Sequence, residues 1–591
     1  MRYFLLFVIL LISSHIGAQD QLLGSQYYRN GDYEKASEIF KSLFEKNPIN
    51  SNYLNYFIDC YQQLERFNEV EVVINKQLIS LPEQDYLYVK LGYNYQLQHQ
   101  YEKALPYYEK ALKSIEKSPN LGYQVGKAFQ DCHLVDYALQ AYTKAMKHYP
   151  TSNYNAQIAF LYGEKGEVEK MFDAYLNMVA HNPDYLNISK SYIGNFITDD
   201  AENEHNKSLR KLLLQRSQTN PDTNWNLLLS WLFVQQQDFN KALIQEKALI
   251  KRNEGDLKNI VEIGKMAFEN NDFMASKNCF FFILESPPTV EIALTAERYL
   301  LEIELVNSKN LSDIETKFQT LFTSYGTTRN TLEIAVLYAD FLAFKKNEIT
   351  EALTILYQLL LLPLTNFEKG TIKIKIADIL VFTNKFGNAL IHYTQVQNEL
   401  KNHAIGQLAR FKIAQTSYFK GDFEWAQSQL SVLKNSTSQL IANDALDLNL
   451  LITDNATIDS LKVALKKYAM AELLAFQNKN KDAIDTLQLV LTNYKGHSIE
   501  DEALLKQAKL FEKTNQFEAA ITNYLKIIQL NSKDILADDA HYFLAELYLN
   551  KLNNVPKAKE YYEKIIFDYP SSIYLVDARK KYRNLRGDEM L

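Results

Sequence analysis

Pro48, Pro82, Pro150 and Pro183 each close an apolar-periodic stretch, and they stand 34, 68 and 33 residues apart, so a period of about 34, once doubled, governs the first third of the chain. Within each period the same pairs of small and aromatic residues return. Leu23-Gly24 with Tyr27 is followed by Ala36 and Phe40, and Leu91-Gly92 with Tyr95 by Ala104 and Tyr108. Val125-Gly126 with Phe129 leads to Ala138 and Tyr142, and Ile158-Ala159 with Tyr162 to Met171 and Tyr175. Spacings of three and four place these residues on one helix face, and two antiparallel helices approach closely only where small side chains face one another. A helix pair of this size buries half its apolar surface alone and must stack on its neighbours, so the chain grows by addition rather than around one core. Gly and Pro together number 30 of 591 residues, about 5% against an ordinary usage of roughly 12%, which disfavours turn-rich β-sandwiches and glycine-looped nucleotide folds.

The pattern L-G-x2-Y, A-x3-F and a closing Pro over 34 residues resembles the tetratricopeptide repeat. That resemblance implies an all-α fold, a tandem helix-turn-helix solenoid wound as a right-handed superhelix. Ser230, Phe233 and Ala242, then Gly264, Ala267, Phe280 and Pro288, continue it, with a degenerate unit near 184–221 interrupted by Asp199-Asp200-Ala201-Glu202. Residues 19–288 therefore read as one repeat block and 289–330 as an irregular helical connector. From 331 to 591 the period lengthens: Ala352, Ala389 and Ala426 step by 37, a gap of 57 follows, and Ala483, Ala520 and Ala558 step by 37 and 38. The excess in the gap reads as an insertion near 439–460. In the last block Asp538-Asp539-Ala540-His541-Tyr542-Phe543-Leu544-Ala545, Tyr561-Tyr562, Asp568-Tyr569-Pro570-Ser571-Ser572 and Asp577-Ala578-Arg579 resemble the repeats of bacterial cell-envelope tetratricopeptide proteins. Those include the barrel-assembly lipoprotein and the Tol-associated cell-division coordinator. The chain lacks the lipidation cysteine of the former. The basic run Arg579, Lys580, Lys581, Arg583, Arg586 reads as the polar outer face of a C-terminal capping helix.

The N-terminus differs in kind from everything after it. Met1 and Arg2 precede an apolar run from Tyr3 to Ile12, then Ser13, Ser14 and the small pair Gly17-Ala18. This is the pattern of a secretory signal peptide cleaved after Ala18, its apolar run half of the roughly 20 residues that span a bilayer. The expected address is the periplasm or the outer membrane of a bacterium, with peripheral membrane association open and no transmembrane segment in the mature chain. With 64 Lys+Arg against 71 Asp+Glu, the net charge of −7 argues against nucleic acid as a partner. Cys60, Cys132 and Cys279 are odd in number and form no C-x-x-C, so they read as buried apolar residues.

No catalytic constellation is visible, and neither a cofactor nor a metal is expected. Gly122-Tyr-Gln-Val-Gly126-Lys127-Ala128 is one residue short of a phosphate loop, with Ala128 where a hydroxyl is required. The histidines show no H-E-x-x-H spacing. What remains is the concave face that the resemblance assigns to the first helix of each unit. Its candidate groove residues are Asn52, Asn55, Asp59, Gln62, Tyr86, Tyr93, Gln96, Tyr123, Lys127, Gln130 and Phe160. Amides pair with the backbone of an extended peptide and tyrosines offer rigid contact area, which suits protein or peptide recognition. The chaperone-tail clamp of the family finds only Lys90 of the right type and is expected to be absent. The expectation is a non-enzymatic scaffold or adaptor of the cell envelope. An envelope enzyme subunit with its site in the irregular segments, and a purely structural spacer, stay open.

Overall fold

The fold is known from a computed structural model, which describes residues 19–307, 310–435, 438–455, 462–530, 532 and 535–587. The segment read as a signal peptide, residues 1–18, lies outside the described residues. Among those described there is no strand, and the chain divides into two compact units, one up to Glu254 and one from Gly255.

Unit 1 is a run of antiparallel helix pairs. They are α1 (19–29) with α2 (Tyr33–Lys46), α3 (Ser51–Gln63) with α4 (Phe67–Ser80), α5 (Leu87–Leu97) with α6 (Tyr101–Ser114), and α7 (Pro119–Asp131) with α8 (Val135–His148). Then come α9 (Asn155–Glu164) with α10 (Val168–His181), α11 (Leu186–Gly194) with α12 (Glu204–Thr219), and α13 (Thr223–Gln235) with α14 (Phe239–Lys251). The small–aromatic pattern has the steric role expected of it. A Cβ added to Gly92 would stand 2.5 Å from Cε1 of Tyr108, and one on Gly126 2.5 Å from Cε1 of Tyr142. Ala36, Ala104 and Ala138, with Phe40, Tyr108 and Tyr142, are buried at the same seams.

Between the helices of a pair the chain reverses through one left-handed residue. Gly31 and Gly166 fill this place, and so do His99 (φ 59°) and His133 (φ 55°), where a side chain tolerates the conformation at a cost. The residue that follows closes the turn: the N–H of Gln100 donates to Tyr95 O, and that of Leu134 to Phe129 O, each at 2.9 Å, capping carbonyls of the last helical turn. The degenerate unit departs from this plan, since α11 and α12 are joined by a loop over 195–203. Asn206, fully buried, pins that loop by donating to Thr198 O (2.7 Å) and Asp200 O (2.6 Å).

Unit 2 contains α15 (Leu257–Glu269), α16 (Phe273–Glu285), α17 (Val290–Asn307), α18 (Leu311–Tyr325), α19 (Leu332–Phe341), α20 (Ile349–Leu359), α21 (Asn366–Phe382), α22 (Phe386–Glu399), α23 (Ala404–Phe419) and α24 (Phe423–Val432). After them come α25 (Gln439–Asn455), α26 (Val463–Phe476), α27 (Asn480–Asn493), α28 (Ile499–Lys513), α29 (Phe517–Leu530), α30 (Ile535–Asn550), α31 (Val555–Asp568) and α32 (Leu575–Arg586). The 289–330 stretch, which lacks the small–aromatic signature, forms α17 and α18 and buries Leu294, Leu301, Ile314 and Phe318 in the unit's core. The long gap in the alanine period holds α25, an unpaired helix that buries Ile441, Ala445 and Ile452. It does not break the stack, because α26 packs directly on α23. Phe476 at the end of α26 meets Phe344, Phe382 and Phe419 with ring centroids 6.1, 6.1 and 6.3 Å away. Asn478 donates to Phe344 O at 3.2 Å, and Gln477 to Asn384 Oδ1 at 2.8 Å. Turns 93 and 134 residues apart in sequence are thus gathered at one place.

Ala104→Glu brings bulk and an unpaired charge against Gly92 and Tyr108, and is expected to cost about 3 kcal/mol or more; a thermal melt superimposable on that of the unchanged protein would contradict this seam. A pH effect is expected in the last repeats. His541 on α30 is buried between Tyr561 and Tyr569 with Nδ1 unpartnered. Burial first, and Lys564 second, bring its imidazole down to about 4, against the pull of Asp568, Asp538 and Glu560. The folded state therefore prefers the neutral ring. The stability this contributes is complete above the ordinary histidine value of about 6.5 and is lost as the pH falls toward 4, by about 1.4 kcal/mol for each pH step of one between the two. Melting temperature measured across this range should fall for the protein and fall less for His541→Phe.

Candidate functional site

The first helices of unit 1 divide the expected groove residues into two groups. Asn52 is exposed at the start of α3, Tyr93 is half-buried on α5, Tyr123 on α7 is 47% exposed and lies 6.5 Å from the ring of Tyr154, and Phe160 on α9 is 52% exposed. These side chains are open to contact. The others are engaged. Asn55 is the exception, half-buried with an Oδ1 that is shielded from solvent and has no partner among the described residues, while Lys127 pairs with Asp131 on its own helix at 2.6 Å. Gln96 accepts the hydroxyl of Tyr108 at 2.9 Å, and Gln130 that of Tyr142 at 3.4 Å.

Gln96, Gln130 and Asp59 thus differ from the expectation that these side chains are unused in packing, and two more depart further by being buried. Gln62 is buried, with Nε2 turned to Asn94 Oδ1 at 3.5 Å, because a polar side chain at that level meets the next repeat rather than water. Tyr86 stands at the cap position before Leu87, off the regular face of α5. It is buried, and burial pushes its hydroxyl up to about 12.

The engaged residues belong to a pattern that runs through both units. The buried tyrosine of a second helix turns its hydroxyl to a polar residue four places after the small residue of its own first helix: Gln96 for Tyr108, Gln130 for Tyr142, and in unit 2 Glu512 for Tyr524. Asp378 and Glu546, each directly after an alanine of the first helix, also accept from Tyr393 and Tyr562. A second set of contacts ties several repeats to the next. Asp59 pairs with Lys90 at 2.9 Å across 31 residues. In unit 2 Asp340 pairs with Lys375, Asp378 with Lys412 at 3.4 Å, Glu472 with Lys506 at 2.6 Å, and Glu546 with Lys581 at 2.6 Å.

The Lys90 side chain is 5% exposed. Burial disfavours its charge, but Cys132 and Asp59 beside it outweigh that and hold the amine above the usual lysine range. The one cation of clamp type therefore serves the fold. This ladder was legible as acid and lysine spaced by the repeat length, yet only the structure shows that the two side chains meet.

Among the described residues no group of His, Cys, Asp and Glu is placed to hold a metal ion, and no helix is long and apolar enough to cross a membrane. All three cysteines are buried. Concave space occurs elsewhere. In unit 1 an apolar groove of about 830 Å³ runs between Phe44, Ile49, Phe57, Val72 and Leu81. In unit 2 a cleft of about 320 Å³ lies over Arg298, Glu302, Glu333, Asp340 and Lys375, and another of about 410 Å³ over Tyr418, Phe419, Glu472, Phe476 and the lysines of α28.

Removing Lys90 leaves a partly buried carboxylate without its partner, so Lys90→Met is expected to destabilise unit 1 by about 2–4 kcal/mol. Asp59→Leu with Lys90→Met should recover part of that loss, and a double-mutant cycle on thermal unfolding measures the coupling. Additive effects of the two changes would show that the pair contributes nothing as a pair.

Residues 86–118 and 505–573 match family models of the tetratricopeptide repeat. No curated protein matches the chain. Among solved structures it is similar to the APC/C hetero-tetramer Cut9-Hcn1 (13% identity, 96% of each chain covered, TM-score 0.26) and to Naa15/Naa10 bound to HypK-THB (12% identity, 97% of each chain, TM-score 0.27). It is also similar to a human IFIT1 dimer with PPP-AAAA (12% identity, 73% of this chain and 90% of that one, TM-score 0.29). Scores this low leave the fold to rest on the helices themselves. The helix pairs, their recurring seams and the two matched stretches together make this an all-helical tandem-repeat solenoid that carries tetratricopeptide repeats.

Proposed function

We propose that the protein is a non-enzymatic interaction scaffold of the bacterial cell envelope, which holds peptide segments or partner proteins along the row of first helices in unit 1. The observation that carries this reading is the set of side chains that packing leaves unused on successive repeats: Asn52, Tyr93, Tyr123 and Phe160. Aromatic rings that stand out of a rigid helical frame bind a partner with little further loss of conformational freedom, and such residues dominate interface energetics. The repeat architecture supports the reading, since stacked units offer one extended surface in place of one pocket. The envelope address rests on the apolar run and small-residue pair of residues 1–18.

A photocrosslinking amino acid placed at Tyr93 in living cells, with a control on the exposed side of α6 at Glu102, tests the site. One dominant protein adduct at Tyr93 and none at Glu102 is the expected result. Equal labelling at the two positions would remove the binding role of this row. Sequencing the N-terminus of the protein recovered from the envelope fraction tests the address, with Gln19 as the expected first residue.

A further inference from the structure

The cleft over α28 differs from the rest of the ladder in its charge balance. It holds about 410 Å³ and is lined by Phe419, Leu448 and Phe476 together with Lys506, Lys509, Leu510 and Lys513 of α28, with Glu472 as its acid. Lysines 506, 509 and 513 recur at three and four places, so α28 presents them along one face.

Only Lys506 has the carboxylate that the ladder provides. Both oxygens of that carboxylate are used, Oε1 of Glu472 by Lys506 at 2.6 Å and Oε2 by the Tyr418 hydroxyl at 2.9 Å. The other nearby acids are turned elsewhere: Asp539 accepts from Tyr574 at 2.8 Å, and Glu512 from Tyr524. Lys509 is left over the ring of Phe543, 4.3 Å from its centroid, and Lys513 reaches only the amide oxygen of Asn478 at 3.3 Å. Among the described residues no carboxylate lies within 4.0 Å of either amine. Lys375, Lys412 and Lys581 are the counterparts of Lys506 in other repeats, and like it each has a carboxylate. Two cations without counter-charges thus stand beside an apolar floor.

We infer that this cleft is a second binding site, for an acidic peptide segment whose carboxylates meet Lys509 and Lys513 and whose apolar side chain lies on Phe419, Leu448 and Phe476. A free anion such as phosphate would use the lysines and leave the floor uncovered. A nucleic acid would meet the net charge of −7 carried by the whole chain, which opposes a polyanion outside this one cleft. A peptide with a few carboxylates and apolar side chains between them satisfies both halves of the lining. The inference rests on the scaffold reading of the protein but not on the unit 1 row.

The test uses the full chain and a fluorescein-labelled hexapeptide of alternating glutamate and leucine, read by fluorescence anisotropy, with the glutamine–leucine hexapeptide and a single-stranded oligonucleotide as comparisons. The glutamate peptide is expected to bind, and raising the salt from about 50 mM to about 500 mM should weaken it severalfold, since the contacts lie at a partly open surface. Lys509→Gln with Lys513→Gln should weaken binding about tenfold or more, which corresponds to about 1.4 kcal/mol, while Lys509→Arg with Lys513→Arg retains it. Both lysines are exposed, so the variants should melt as the parent does. Equal affinity for the glutamine peptide, equal affinity in the Gln variant, or preference for the oligonucleotide would each overturn the assignment. Crosslinking at Tyr93 reports on unit 1 alone, so failure of the scaffold row and failure of this cleft are told apart.

Discussion

One contact between a glycine or alanine and a buried aromatic ring holds many of the helix pairs together, and much else is built on it. Gly92 against Tyr108 and Gly126 against Tyr142 let two helices approach to a distance that a Cβ would forbid. The ring that fills the seam carries a hydroxyl into the interior, and a buried hydroxyl without a partner is costly. A glutamine or glutamate four residues after the small position accepts it, as at Gln96, Gln130 and Glu512. A steric requirement on one helix thus becomes a polar requirement on its partner, and side chains that looked free for recognition are used for packing.

The charge ladder extends this logic from one repeat to the next. Nearest-neighbour terms alone hold a repeat stack together, so a contact repeated at several interfaces has more weight than its single value. Pairs such as Asp59–Lys90, with a lysine almost wholly buried, act where water is largely excluded, unlike the many exposed pairs that are screened and contribute little. Acids of an acidic chain are therefore drawn into the stack. The surfaces proposed for binding are what the ladder leaves over: exposed rings on first helices of unit 1, and lysines without acids on α28 in unit 2.

That division explains how much of the site could be read beforehand. Tyr123 and Phe160 are exposed because their positions fall on the face of a first helix that no seam uses, which helical periodicity alone predicts. Gln96 and Gln130 lie on the same face by periodicity, yet tyrosines 12 residues on reach across and take them. Tyr86 fails for another reason, since its helix begins one residue later and the period does not apply to it. The lysine cleft was missed because its neighbours come from α23, α25, α26 and α28, and no local pattern relates them.

Local and recurring constraints determined the helix pairs from sequence alone: the small–aromatic spacing, the closing prolines and the repeat length all act within some tens of residues. The absence of a phosphate loop and of metal-ligand spacing was readable in the same way. Tertiary structure alone decided how the unpaired helix α25 is accommodated, because α26 reaches past it to pack on α23 and brings Asn478 to Phe344, 134 residues earlier. It also decided which charges are paired. An ion pair between repeats depends on the rotation and rise from one unit to the next, and those follow from the packing of whole helices rather than from any one residue.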